Sequence, residues 1–89
     1  MHPHEVDVKL SELNRANNYK RAESILIEFK NYSGKLTPDQ ASRLCFAAIT
    51  NEQIYNCFHC KNHLKIILKK NEENIDDDQY SEVLDKIND

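Results

Sequence analysis

Gly34 is the only glycine in 89 residues, and Pro3 and Pro38 are the only prolines. Hairpins, sandwiches and barrels draw on Gly and Pro at every tight reversal, so a chain this poor in both is expected to be all-α. Its 89 residues are enough for one domain, spanning 1–89. No apolar run approaches the roughly 20 residues that a membrane helix needs. A chain of this length hides only about 60% of its unfolded surface, so its core is thin and a partner could complete it.

Helical spacing of apolar residues divides the chain. Val6, Leu10 and Leu13 share one face of a first helix over about 4–16. Tyr19, Ala22, Leu26 and Phe29, widened by Ile25 and Tyr32, mark a second that stops at Ser33-Gly34, where glycine could take the left-handed conformation. Thr37-Pro38-Asp39-Gln40 is the best local signal: a capping hydroxyl, proline in the first turn and a reciprocal Gln. The helix it opens carries Ala41, Leu44, Cys45, Ala48 and Ile49. Thr50-Asn51-Glu52-Gln53 reads as a further capping box, followed by a helix with Ile54, Cys57, Phe58, Leu64, Ile67 and Leu68 that closes on Lys69-Lys70. Asn74 is expected to cap a last helix striped by Tyr80, Val83, Leu84 and Ile87. Two antiparallel hairpins, 4–33 and 37–70, and an acidic helix, 74–88, make about five helices. A plain four- or five-helix bundle is the alternative arrangement.

Charge is unevenly spread. Residues 1–70 hold 11 bases and 7 acids, whereas 71–89 hold 8 acids and Lys86 alone. A body charge of +4 under a sequence pI near 5.8 is a poor collector of phosphates, so nucleic acid is not an expected partner. Lys61, Lys65 and Lys69 form a basic stripe that could meet Glu72, Glu73 and Asp76 to Asp78. The start Met1-His2-Pro3-His4-Glu5 has no apolar leader, and three cysteines form an odd set. Both point to a cytoplasmic protein with reduced thiols.

At an offset of 35 residues the two hairpins align, Val6 on Ala41, Leu10 on Cys45, Leu13 on Ala48, Tyr19 on Ile54, Ala22 on Cys57 and Phe29 on Leu64. Asn17-Asn18-Tyr19-Lys20-Arg21-Ala22, with Leu26 and Phe29 after it, resembles the turn and second helix of a tetratricopeptide repeat, in which a Tyr-x-x-Ala step precedes larger residues. The resemblance spans about residues 4–70 and is degenerate. Helix one lacks the family's aromatic and glycine, and the second hairpin has Ile54, Cys57 and Lys61 at pattern positions. Two such repeats are fewer than the three that usually stand alone, which implies a co-folding partner. In size and layout the chain is similar to the small tetratricopeptide-like co-chaperones of type III secretion systems, which hold a helical needle subunit before export.

The run Cys57-Phe58-His59-Cys60-Lys61-Asn62-His63 is the one place where metal or thiol chemistry could sit. Cys57, His59, Cys60 and His63 fall within two turns, and thiolates with imidazoles suit zinc or copper(I). Zinc sites take ligands from two elements, however, and no second CxxC or HxxxH exists. Cys57 and Cys60 are therefore expected as small core residues, with His59 and His63 wet and no metal or cofactor bound. A redox CxxC needs a helix N-terminus, and this one is expected inside a helix. No oxyanion hole or oriented base accompanies the thiols, so no enzyme is expected.

The remaining reading is a non-catalytic interaction module, a small chaperone or adaptor that forms a hetero-oligomer with a helical segment of another protein. Tyr19, Ala22, Leu26, Phe29, Leu44 and Phe58 are expected to be core, and Ile54, Leu64, Ile67, Tyr80 and Leu84 to face the partner. The alternative is an acidic helical inhibitor or immunity protein whose tail covers a basic enzyme surface.

Overall fold

Helices begin here wherever a side chain can take an orphaned backbone amide, and five of the six starts do so. Asn18 Oδ1 accepts from Arg21 N at 2.9 Å, and Thr37 Oγ1 accepts from Gln40 N at 3.2 Å while Thr37 N donates back to Gln40 Oε1 at 3.0 Å. Asn51 Oδ1 accepts from Gln53 N at 2.9 Å and Asp76 Oδ2 from Gln79 N at 3.3 Å. Cys57 Sγ fills the same role for Cys60 N at 3.4 Å. In the computed structural model, which describes residues 1–88, the elements are α1 (Val6–Asn14), α2 (Tyr19–Asn31), α3 (Pro38–Thr50), α4 (Glu52–Tyr55), α5 (Phe58–Lys70) and α6 (Asp77–Ile87). Short 3-10 turns at Pro3–Glu5 and Glu72–Asn74 precede α1 and α6. The described residues are all-α, with no strand.

The helices lie in two layers. α3 packs between α1 and α6, α2 packs along α5, α1 and α5 link the layers through α2 and α6 respectively, and the single turn of α4 forms the corner between α3 and α5. The extents, 29 × 27 × 18 Å, are those of a slab about two helix diameters thick. One apolar core runs through it, with Leu13, Ile25, Leu26, Phe29, Leu44, Ile54, Leu64 and Leu68 fully buried. Small residues at Ala22, Ala41, Cys45, Ala47 and Ala48 let the helices approach closely.

Two asparagines fasten neighbouring elements where helices end. Asn71, the one buried polar side chain among the described residues, accepts from Leu36 N and donates to Ile67 O, both at 2.9 Å. Asn51 Nδ2 donates to Leu13 O and Ala16 O at 3.0 Å, satisfying carbonyls left open at the end of α1. Asn71 thus ties the end of α5 to the segment before α3, and Asn51 ties the end of α3 to the end of α1.

The structure corrects several expectations. The helix expected through 52–70 breaks at Asn56-Cys57, because Cys57 turns extended and caps α5. That break resets the helical phase. The buried stripe of α5 is Cys60, Leu64, Ile67 and Leu68, and Phe58 falls off it with 68% exposure. Tyr19, expected in the core, is 51% exposed at the first turn of α2. Ile54, Leu64 and Ile67, expected to face a partner, are sealed in the core, while Tyr80 and Leu84 are half-buried against it. Asp76 caps α6 instead of Asn74, whose side chain donates to Leu36 O at 2.8 Å. Gly34 is not left-handed; a Cβ there would lie 2.6 Å from the Tyr32 hydroxyl, so the glycine makes room for that ring. From the basic stripe Lys69 reaches Glu72 of the acidic tail at 3.1 Å, and Glu73 pairs with Lys35 at 3.4 Å.

Candidate functional site: the α4 corner

The break at Asn56-Cys57 shapes an apolar surface groove. Because α5 starts afresh at Phe58, its first side chain projects past the end of the core, beside Tyr19 at the start of α2. Tyr19, Gln53, Cys57, Phe58 and His59 border a groove of about 420 Å³ with Glu52 and Asn56 at its rim. Phe58 meets the His59 ring edge-on, 5.7 Å between centroids. The groove offers two exposed aromatic rings and one thiol edge, a surface that can take an apolar side chain. It contains no paired acid and base.

The thiol and imidazole groups near it are occupied structurally. The Cys60 thiol lies against Tyr19 O at 3.8 Å, and burial pushes its ionisation well above the ordinary thiol range, with the neighbouring Cys57 sulfur acting in the same direction. That burial disfavours the Cys60 thiolate, while the CxxC pair, expected inside a helix, instead opens α5 with Cys57 as its cap. His63 is not on a wet face as expected: its Nε2 lies 3.2 Å from Glu23 and its Nδ1 3.1 Å from Lys30 Nζ. A lysine ammonium can only donate, so Nδ1 accepts and Nε2 carries the proton toward Glu23. The ring is used as a clasp between α2 and α5. His59 is exposed. The four residues of the sequence cluster therefore do not converge, and no group of three or more His, Cys, Asp or Glu among the described residues is arranged to hold an ion. Cys45, under α6, is also buried, which with the charge of Glu82 pushes its thiol up to about 11.

Of the residues expected to bind a partner, none reaches the groove. Those that form it, Tyr19 and Phe58 above all, were expected in the core. The signal that could have found them is Asn56: a residue that favours turns, just before the second apolar stripe, marks a place for the helix to stop.

No family model, no curated protein and no solved structure matches the chain. Among the described residues no helix is long and apolar enough to cross a membrane.

Proposed function

We propose that this protein is a non-catalytic interaction module, a small chaperone or adaptor that holds a helical segment of another protein, with the α4 corner as its docking point. The observation that carries this reading is the pair of exposed aromatic rings, Tyr19 and Phe58, flanking a groove wide enough for an apolar side chain. Buried aromatic anchors dominate the energetics of most protein interfaces, and rings left in water on a thin-cored domain are their free-state counterpart. The layering favours a repeat-like arrangement in one respect, that first helices α1, α3 and α6 form one layer and second helices α2 and α5 the other, although α3 and α5 join mainly through α4. Within this reading, the similarity to type III secretion co-chaperones names a class of client, an exported helical subunit. The three free thiols suit the reducing cytoplasm.

The test is recovery of the client from the native cell by tagged wild-type protein and by Phe58→Glu and Tyr19→Ala variants. Both variants are expected to keep the wild-type circular dichroism spectrum and to lose the client. A client held equally well by both variants sinks the proposal for this corner.

An acidic inhibitor is the second reading, favoured by one observation: Asp77, Asp78, Glu82 and Asp85 on α6 form no ion pair among the described residues. Deleting the tail cannot test it, because Val83 and Ile87 belong to the core. Asp77→Lys with Asp78→Lys can: an inhibitor would lose its enzyme, and an adaptor using the α4 corner would keep its client.

A further inference from the structure

A second unpartnered surface lies on the outer face of the α1–α3–α6 layer. Val8 is 58% exposed and Phe46 56% exposed, although both stand on helices that bury an apolar stripe, Val6, Leu10 and Leu13 on α1 and Ala41, Leu44, Cys45 and Ala48 on α3. Phe46 lies on the ridge of α3, between two hollows. The hollow toward α1, about 230 Å³, is bordered by Leu10, Arg15, Arg43 and Phe46. The hollow toward α6, about 340 Å³, is bordered by Ile49, Glu82, Asp85 and Lys86.

Charge across this face is ordered. Arg43 is held within the layer by Asp7 at 3.0 Å and Ser11 at 3.1 Å, and Lys86 sits 4.2 Å from the centre of the Tyr55 ring. What remains is Arg15 on the α1 side and Glu82 with Asp85 on the α6 side, none of them in an ion pair among the described residues. A free cation, an apolar ridge and free anions therefore follow one another across a single layer. Arg15 is level with Phe46, and Glu82 and Asp85 are level with Ile49, one turn further along α3.

A face with this order is complementary to itself. A two-fold axis running along α3 turns one face onto another, laying the α1 edge of each copy on the α6 edge of the other and ridge against ridge. We infer that a second copy of this chain docks on the outer α1–α3–α6 face, with Phe46 packed at the two-fold and Arg15 of each copy paired with Glu82 and Asp85 of the other. This self-association uses a surface separate from the α4 corner and stands whether or not that corner binds a client.

Sedimentation equilibrium of the full chain from low micromolar to millimolar concentration tests it. The expected result is a monomer–dimer equilibrium weakened by added salt, since the edge contacts are ionic. Phe46→Glu is expected to give a monomer with an unchanged helical spectrum, and Phe58→Glu to dimerise as the wild type does. Arg15→Glu and Glu82→Arg are each expected to weaken the dimer by about tenfold or more through like charge across the two-fold. An equimolar mixture of those two variants is expected to recover association in part, because one edge of the mixed dimer keeps Arg15 against Glu82 and Asp85 and the other sets the acid introduced at position 15 against the base introduced at position 82. A wild type that stays monomeric throughout overturns the inference, as does a dimer that survives Phe46→Glu or a mixture that fails to associate better than its components.

Discussion

Asn71 shows how a thin core can be made specific by a single polar side chain. Its amide is shared between Leu36 N and Ile67 O, so Asn71→Ala strands a buried donor at the start of the second hairpin. The expected loss is about 2–3 kcal/mol, read as a lower urea midpoint with the denaturant slope unchanged. Asn62→Ala, on the exposed face of α5, is expected to stay within about 0.5 kcal/mol of wild type. Gly34 has an equally local role. Gly34→Ala must displace the Tyr32 ring and is expected to cost about 1 kcal/mol or more. Combined with Tyr32→Leu, which removes the obstructing hydroxyl, the alanine is expected to cost less, a non-additivity that a double-mutant cycle measures. The glycine was legible as a stop, but its reason was not: the space it leaves is for a side chain two residues earlier.

At the scale of elements, the start of α3 was fully readable because Thr37-Pro38-Asp39-Gln40 concentrates four independent helix-start preferences in consecutive residues, and the reciprocal bonds form. The start of α5 was hidden because cysteine is not among the residues that ordinarily cap helices. Periodicity alone ran the helix through 52–70, and with it went the expectation that Phe58 is core and that Ile54, Leu64 and Ile67 face outward. The cap makes an unusual prediction. A buried cysteine in a core tolerates Ala better than Ser, whereas a capping sulfur should be replaced better by a hydroxyl. Cys57→Ser is expected to match or exceed wild-type stability, and Cys57→Ala to lose about 1 kcal/mol in thermal or urea unfolding. The opposite order would mean that Sγ merely fills space. α6 is likewise an integral element, since Val83 and Ile87 are buried and Gln79 donates to Ser42 Oγ at 3.0 Å. Val83→Asp is expected to abolish cooperative unfolding by burying an unpaired charge, while Asp77→Lys is nearly neutral.

For the molecule as a whole, composition was the most informative part of the sequence. A chain with one glycine had few options beyond helices. What the sequence could not convey was which apolar residues end up in water, because that depends on where helices stop to within one residue. Titration links the burial of the thiols to global stability. Unfolded Cys45 ionises near its ordinary value of 9.0, but in the folded protein it does so only at about 11. The folded state therefore holds the proton that the unfolded state releases, so stability is fully present below about pH 9 and falls as pH rises toward 11. Cys60 acts with the same sign, as does Lys9, whose bond to Glu28 keeps its ammonium charged. Cys45→Ala is expected to flatten the alkaline part of the stability profile measured by urea unfolding, after allowing for the lost packing.

Cys45 and Cys60 also have no route to solvent while α3, α5 and α6 are in place, since both are fully buried. A thiol that can be alkylated only when its helices part is a clock for that parting. The labelling rate of Cys45 counts openings of the α3–α6 contact, and that of Cys60 counts openings of α2 from α5. The protein thus carries, in two buried side chains, separate native meters for the detachment of its acidic helix and for the parting of α2 from α5.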